Sequence, residues 1–480
     1  MNAHYGVSRW PDEKKVYEKM ERLVKEPIHH IKPEAMEKYM KYFNEKCQGS
    51  KKMIDEAKKV IPGGVQHNLA FNYPFPLVIE KAKGAYLYDI DGNRYVDYLQ
   101  AGGPTLLGSN YEPVNEKVWE VVKESGPVTG LFHPYEMKLA EKIHECMPWV
   151  EMYRCLASGT EADMVAIRIA RTYTGKQRIV KVGGAYHGWS DQLVYSLHIP
   201  FTKTFEAHGI PKEVSENTAE FYPGDLEGLR KVLEENEKAG GTAAVIIEPF
   251  GPESGTRPVS MDFAAKVREL CDEFKALLIF DEVVTAFRVG PGGAQGFFNV
   301  RPDLTVFGKI VAGGYPMAGG VGGSAEIMSC IAAGVKAGKK KAYVGGTLTA
   351  NPLSCAAGYF AIDEILKQDA AKKAGENGDK LCDGIQKLID KYDLPFVTWN
   401  TGSIVHFEVS GVMYLSVTDP DIFKKIPERQ QYIEEFGAAL TANGVITLAG
   451  SRIYTSMADN DETIQQTLDA FDEVFSNVER

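Results

Sequence analysis

The stretch Ala276-Leu-Leu-Ile-Phe-Asp-Glu-Val-Val284 decides the fold class, because five apolar residues run directly into two carboxylates. A continuous apolar run of this length between helical segments predicts a strand that is buried on both faces of a sheet. Similar short runs occur at 178–182 and 243–247. Strands that alternate with helices form a mostly parallel sheet covered by helices. The middle of the chain, from about 135 to 330, is therefore predicted to be an α/β domain.

The segments on either side have different patterns. Residues 11–60 show apolar positions at helical spacing, and Pro27 and Pro33 are expected to break them into two or three amphipathic helices. Residues 85–98 alternate apolar and polar side chains around Asp-Gly-Asn, which predicts a β-hairpin. Beyond Asn351 the chain reads as helical, and the later predicted elements are strands near 403–409 and 444–455 and a last helix at 461–477.

Composition excludes several classes of protein. The 480 residues are 44% hydrophobic, enough for a large core, and carry a formal charge of −11. An acidic chain is a poor partner for nucleic acid or an anionic membrane. No leader-like segment and no run of 18 apolar residues is visible, and the seven cysteines are scattered without CxxC spacing. We therefore expect a cytoplasmic protein with reduced thiols and no metal site.

Two turns rich in small residues are suited to an anion. Ala157-Ser-Gly-Thr-Glu-Ala162 precedes a helical pattern, and free N–H groups at the start of a helix bind phosphate. An ordinary helix cap made by Ser158 or Thr160 is the alternative. The second turn, Gly345-Gly-Thr-Leu-Thr-Ala-Asn-Pro352, offers further N–H and hydroxyl donors before another helix.

Two charged side chains follow apolar strands. Asp281 comes just past the strand at 276–280, where open α/β sheets bind ligands. Its carboxylate is suited to a protonated pyridine nitrogen, although a metal-binding or solvated acid is the alternative. Lys309 ends Val306-Phe-Gly-Lys309 and is followed by a glycine-rich apolar stretch. A lysine in such surroundings loses solvation and becomes nucleophilic, whereas most lysines are solvated surface charges.

The order and spacing of these features resemble the class III pyridoxal-phosphate-dependent aminotransferase family of fold type I. Asp281 follows the first turn after about 120 residues, and Lys309 follows after a further 28. The resemblance covers roughly residues 52–475. Ile61-Pro-Gly-Gly-Val65, Lys83–Arg94 and Ala185-Tyr-His-Gly188 are most similar to glutamate-1-semialdehyde aminomutase-like aminotransferases.

This resemblance implies a domain organisation as well as a fold. The expected fold is an α/β, fold type I architecture, in which a central, mostly parallel sheet domain accompanies a smaller domain built from N- and C-terminal segments. The N-terminal extension is expected to wrap around a dimer or to pack on the surface. The implied divisions are a helical extension at 1–50, the first part of the small domain at 51–105, the large cofactor-binding domain at 106–345, and the rest of the small domain at 346–480.

The resemblance also implies roles around pyridoxal 5′-phosphate. Lys309 would form the Schiff base and then shuttle a proton, and Asp281 would bind the pyridine nitrogen. Val283 would pack on one face of the ring, and Tyr186 would cover the other. Glu248 is the family's acidic residue near the cofactor, and a structural acid is the alternative.

The phosphate contacts are implied to come from two subunits. Ser158, Gly159 and Thr160 would hold the phosphate from one subunit, and Thr347 would reach it from the neighbour. A homodimer is therefore expected. His187 lies beside Tyr186 and is assigned to the cofactor site, where it is expected to be a hydrogen-bonded structural group rather than a general base.

The substrate pocket departs from the aminomutase pattern. Ala70 stands where the aminomutase has an arginine for the substrate carboxylate, and Gly102 stands where it has a tryptophan. The loss of both side chains removes a carboxylate clamp and opens volume. We therefore expect a substrate other than glutamate-1-semialdehyde, either bulkier or without that carboxylate. Gln66 and His67 are expected to line the entrance.

An arginine switch is implied by a second similarity. Arg452 lies where many class III aminotransferases carry an arginine for the donor α-carboxylate, and Glu253 aligns with the glutamate that holds this arginine at other times. A surface arginine at a strand end is the alternative. The expected function is ping-pong transamination between a small-molecule amino donor and a keto acid, aldehyde or ketone. An aminomutase, a racemase or epimerase, and a non-catalytic protein of the same fold are the alternatives.

Overall fold

A computed structural model of the protein describes residues 4–334 and 340–480. Within these residues no helix is both long enough and apolar enough to cross a membrane. The helices are α1 (Glu13–Lys25), α2 (Pro33–Lys46), α3 (Gln48–Ala57), α4 (Glu112–Ser125), α5 (Pro134–Cys146), α6 (Gly159–Thr174), α7 (Lys212–Ser215), α8 (Leu226–Glu237), α9 (Pro252–Gly255), α10 (Phe263–Glu273), α11 (Gly293–Phe298), α12 (Ala325–Met328), α13 (Pro352–Lys367), α14 (Ala370–Tyr392), α15 (Ile422–Ala442) and α16 (Asp461–Ser476). The strands are β1 (Ile79–Lys83), β2 (Tyr86–Asp89), β3 (Arg94–Asp97), β4 (Met152–Leu156), β5 (Arg178–Val182), β6 (Thr218–Phe221), β7 (Thr242–Ile247), β8 (Leu277–Asp281), β9 (Leu304–Gly308), β10 (Gly319–Gly323), β11 (Val397–Thr401), β12 (Ile404–Glu408), β13 (Val445–Ile446) and β14 (Arg452–Tyr454).

Prolines set boundaries of the first helices as the sequence predicts, and a capping side chain sets another. The Asp12 carboxylate accepts the N–H of Lys15 at the start of α1, and the helix ends two residues before Pro27. α2 begins at Pro33, where the missing N–H and the fixed φ cost the helix nothing. The predicted hairpin is also confirmed, because β2 and β3 pair antiparallel across the Asp-Gly-Asn turn.

The chain divides into two compact units, and the first comprises the described residues of 1–5 and 112–369. It contains a seven-stranded sheet in the order β4-β10-β9-β8-β7-β5-β6. The five strands from β9 to β6 are parallel to one another, and β10 runs antiparallel between β9 and β4. The mostly parallel sheet predicted from the alternating pattern is therefore confirmed. Every residue of β7, β8 and β9 is buried, as expected of strands that are covered on both faces.

The second unit comprises residues 6–111 and 370–480. It contains a four-stranded sheet, β1-β2-β3-β13, and a three-stranded sheet, β11-β12-β14. The N-terminal extension contributes to its core, since Met20 and Leu23 of α1 and Tyr39 of α2 are buried in one cluster with Phe407 and Phe436. Within this unit, α1 and α2 are thus part of the core rather than a layer on the surface.

The bounds of these units differ from the predicted domain divisions at 105/106 and 345/346. The structural divisions fall at 111/112 and 369/370, so that α13 belongs to the first unit. The physical reason is close packing on the sheet domain. A Cβ added to Gly358 of α13 would lie 3.1 Å from the carbonyl carbon of Val311, just after β9.

Candidate active site

Most of the residues that the sequence predicts for the cofactor site lie in the first unit, at one edge of its seven-stranded sheet. Asp281 is the last residue of β8, Glu248 follows β7 directly, and Lys309 follows β9 directly. The loop that carries Tyr186 follows β5, and Ser158 comes two residues after β4, which runs parallel to β9. Because the carboxyl ends of parallel strands share an edge, five strand ends meet where open α/β sheets bind ligands.

Val283 shows how closely three of these strand ends approach one another. A Cβ added to Gly159 would lie 2.9 Å from a methyl carbon of Val283, and one added to Gly308 would lie 2.8 Å from the other methyl carbon. The phosphate-type turn and the residue before Lys309 therefore pack against the same side chain. Neither glycine leaves room for a larger residue without displacement of Val283.

Lys309 adopts a backbone conformation that is rare for a residue with a side chain. Its φ is +47°, in the left-handed region, at the start of a 3-10 turn that spans Lys309–Ala312. Non-glycine residues in this region carry backbone strain, and such strain clusters at functional sites. The side chain is half-buried, at the edge where Asp281 also lies.

Asp281 is held by two donors. Its Oδ1 accepts the N–H of Val283 at 3.0 Å, and its Oδ2 lies 2.7 Å from Nδ1 of the fully buried His187. Burial lowers the pKa of His187 below its usual value, although the hydrogen bond to Asp281 opposes this shift. We therefore assign a neutral imidazole whose Nδ1–H donates to the Asp281 carboxylate. Through this contact His187 can hold the Asp281 carboxylate in place.

Glu248 ties two loops of the edge together. Its Oε1 accepts the N–H of Tyr186 at 3.2 Å and that of Glu253 at 2.6 Å, and its Oε2 accepts the N–H of Ser254 at 2.6 Å. Burial, with Asp281 and Glu253 nearby, raises the pKa of Glu248 to about 8. These contacts favour the structural alternative for this acid, because they position the loop that presents Tyr186.

Tyr186 and the first small-residue turn face the same region. The Tyr186 side chain is 47% exposed. A Cβ added to the neighbouring Gly188 would lie 2.7 Å from Cα of Thr160, so the tyrosine loop packs directly on the turn. Ser158 caps α6 by accepting the N–H of Glu161 at 3.2 Å, which is the cap considered as an alternative. The cap leaves the N–H groups of Gly159 and Thr160 at the helix start for an anion.

The remaining predicted residues are distributed over both units. In the first, Thr347 is exposed in a turn before α13, and Glu253 lies at the same edge as Glu248, with its Oε1 3.0 Å from Nε2 of His198. In the second, Arg452 begins β14, and Gln66 and His67 are exposed next to a 3-10 turn. Ala70 ends that turn, and Gly102 is buried in a separate 3-10 turn with φ of +86°.

Two residues at the edge were missed by sequence reasoning. Lys181 is fully buried in β5, and its ammonium donates to the carbonyl groups of Leu193 at 2.9 Å and of Tyr195. It thus fixes the loop that carries His187, and burial lowers its pKa to about 8. Asp163 is fully buried in α6. The available signal for Lys181 was a charged residue inside an otherwise apolar strand, whereas Asp163, two residues after Glu161 near a helix start, had no such signal.

Comparisons with known proteins give a consistent result. The family model described as aminotransferase class-III matches residues 69–475. Glutamate-1-semialdehyde 2,1-aminomutase 1 of Lachnoclostridium phytofermentans is 36% identical over 446 residues, which cover 89% of this chain and 99% of that protein. An omega-transaminase from Sphaerobacter thermophilus has a TM-score of 0.80 and 28% identity over 91% of this chain and 99% of its own. A β-phenylalanine aminotransferase from Variovorax paradoxus has a TM-score of 0.78 and 25% identity over 93% and 99% of the two chains.

Proposed function

Because the chain belongs to the class-III aminotransferase family, whose enzymes depend on pyridoxal phosphate, we propose that Lys309 is its catalytic lysine in a ping-pong transamination. The amino donor is an amino acid, and the acceptor is a keto acid, aldehyde or ketone. The observation that carries this proposal is the convergence of Gly159, Val283 and Gly308, which brings the phosphate-type turn, the Asp281 strand and the Lys309 strand to one point.

The backbone and side-chain groups at this edge match the chemical groups of pyridoxal phosphate. The first N–H groups of α6 are suited to its phosphate, and the Asp281 carboxylate is suited to its protonated pyridine nitrogen. Val283 and Tyr186 offer an aliphatic and an aromatic surface for the two faces of a flat ring. When bound, pyridoxal phosphate supplies an aldehyde that accepts the amino group and a ring that withdraws electrons from the reacting carbon.

Three side chains of the protein have separate roles in the proposed reaction. The Lys309 amine would hold the cofactor at its aldehyde carbon until the amino group of the substrate displaces it. The amine released in this way would remove the proton from Cα of the substrate and deliver it to the former aldehyde carbon. Asp281 keeps the ring nitrogen protonated because its negative charge stabilises the positive one. His187 and the N–H of Val283 keep the Asp281 carboxylate in place.

We propose that the enzyme works as a homodimer in which Thr347 completes the phosphate site of the neighbouring subunit. Thr347 is exposed within its own chain. Large apolar side chains of the first unit are also exposed, and such surface is typical of an interface: Leu131 at 83%, Phe132 at 73%, Trp189 at 74% and Tyr343 at 76%. Sedimentation at about twice the chain mass is expected, and a monomer would contradict the shared site. A cytoplasmic location is also proposed, in keeping with the free thiols of the seven cysteines, all of which lie within residues 4–334 and 340–480.

The half-reaction distinguishes transamination from the aminomutase and epimerase alternatives. We expect holoenzyme incubated with one amino acid, and with no acceptor, to release one equivalent of keto acid per active site. The reason is that the donor leaves its nitrogen on the cofactor before any acceptor binds. Release is measured by chromatography of the keto acid. Lys309→Ala protein is the control, and isomerised amino acid without keto acid would instead favour the mutase or epimerase.

Arg452 is proposed to bind the α-carboxylate of the donor. Arg452→Ala is expected to raise KM for a carboxylate donor roughly tenfold or more, because a charge-assisted hydrogen bond is lost. The turnover number for an amine donor without a carboxylate should stay unchanged. Steady-state kinetics with both donors, and with the exposed Arg22→Ala as the control, measures the difference. An unchanged KM for the carboxylate donor would leave Arg452 as a surface arginine.

A further inference from the structure

The edge that holds Asp281 contains a buried acid with no role in the proposed reaction. Asp163 lies one turn into α6, four residues after Gly159, and its side chain is fully buried. Among residues 4–334 and 340–480, its Oδ1 has no hydrogen-bond partner. Burial of a carboxyl oxygen without a partner is costly, so its presence here requires an explanation.

A second buried atom without a partner lies in the same cluster. Nδ1 of His187 is engaged with Asp281, but its Nε2 finds no hydrogen-bond partner within the described parts of the chain. Side-chain donor or acceptor atoms of Asp163, His187 and Asp281 all lie within 4.8 Å of one another. The two atoms without partners thus belong to side chains of one close cluster, in which a small rotation or one buried water can connect them.

Charge decides which carboxyl group carries the proton. Asp281 has two donors that stabilise its negative charge, namely the Val283 N–H and the His187 ring. Burial raises the pKa of Asp163 well above its usual value, and the nearby carboxylates of Asp281 and Glu248 raise it further. Two adjacent buried carboxylates do not both ionise, so the proton resides on Asp163. A protonated carboxyl group has an O–H to donate, and a neutral imidazole with a proton on Nδ1 has a lone pair on Nε2.

We propose that Asp163 is a positioning residue of the cofactor site: its carboxyl O–H donates to Nε2 of His187, directly or through one water, and so fixes the imidazole that holds Asp281. The result is a series of two hydrogen bonds: the Asp163 O–H donates to Nε2 of His187, and the His187 Nδ1–H donates to the Asp281 carboxylate. Each donor meets an acceptor, and only one negative charge remains, on the carboxylate that faces the ring nitrogen. Other charged or titratable groups that face these three hydrogen-bonded side chains are Lys181, Glu248 and Tyr186.

This inference rests on the proposed function, because these hydrogen bonds affect cofactor binding only if Asp281 contacts a cofactor. It predicts a specific contrast between two substitutions. Asp163→Val removes the donor and should weaken pyridoxal-phosphate binding by the apoprotein roughly tenfold. Asp163→Asn keeps an N–H donor of similar size and should bind within about twofold of the wild type.

The test combines the dissociation constant for pyridoxal phosphate with thermal unfolding of the apoproteins. A purely structural acid would lower the melting temperature of the valine variant. The proposal instead predicts weaker cofactor binding by folded Asp163→Val, in which Nε2 of His187 has lost its donor, and a melting temperature close to wild type for Asp163→Asn, which keeps one. Wild-type affinity in Asp163→Val, or equal weakening in Asp163→Val and Asp163→Asn, would overturn the proposal. If the valine variant does not fold, weakened binding by the asparagine variant overturns it alone. If the wild type does not bind pyridoxal phosphate, the proposed function itself fails.

Discussion

Replacing Lys309 with alanine is expected to abolish transamination while leaving the fold intact. Lys309 is the one residue proposed both to hold the cofactor and to move the proton, so its loss removes two contributions together. Loss of a positioned acid–base group alone typically lowers the rate by roughly 10² to 10⁴. We expect at least that decrease in kcat, together with a protein that loses its cofactor on dialysis.

The structure supplies a reason to expect normal folding of this variant. Lys309 has a φ of +47°, which alanine adopts no more easily than lysine, so the backbone strain is similar in both. The half-buried side chain is replaced by a smaller one without a charge. Thermal unfolding of the apoprotein measures stability, and the exposed Lys266→Ala serves as the matched control with unchanged activity. Retention of more than about a tenth of the activity would be incompatible with the role of Lys309 in proton transfer.

Asp281→Asn is the substitution with the second largest expected effect. The amide keeps the size of the carboxylate, and its one oxygen still accepts the Nδ1–H of His187, but its nitrogen then faces the N–H of Val283 and that contact is lost. It lacks the negative charge that keeps the ring nitrogen protonated. Loss of one preorganised electrostatic contact typically costs roughly 10² to 10³ in kcat. We expect a decrease of that order, with weaker binding of pyridoxal phosphate and a melting temperature lowered by the loss of the Val283 contact alone.

The control for this substitution is Asp262→Asn, which changes the same functional group at an exposed position in the first unit. It should leave both kcat and cofactor affinity at the wild-type values. Steady-state kinetics and cofactor titration are measured on the same preparations. Full activity of Asp281→Asn would mean that the carboxylate at the end of β8 does not act on the cofactor ring.

The sequence predicted the elements whose signals are local. The bounds of β5 agree with the apolar run at 178–182, and α1 ends close to Pro27 because proline cannot continue a helix. The strand-end positions of Asp281 and Lys309 were also predictable, because a parallel sheet places the carboxyl ends of its strands at one edge. These predictions required only periodicity, proline and the general rule for α/β sheets.

Other features depend on contacts between distant residues and left no local signal. His187 meets Asp281 across 94 positions of sequence, and nothing in either segment specifies the other. The buried face of α13 includes a run of small residues, Ala356, Ala357 and Gly358, and its pattern does not reveal which unit it packs on. In the sequence Asp163 is an acid near a helix start, which is a common position, and only the folded structure shows that it is buried. Tertiary packing decided all three.

The most direct test of the central claim is to locate the cofactor on the chain. Borohydride reduction of the yellow holoenzyme, followed by proteolysis and mass spectrometry, identifies any lysine bonded to pyridoxal phosphate. The proposed function predicts one pyridoxyl group per chain, on Lys309, and none in Lys309→Ala. A wild-type protein that takes up no pyridoxal phosphate, or that carries it on a different lysine, would contradict the assignment of this site.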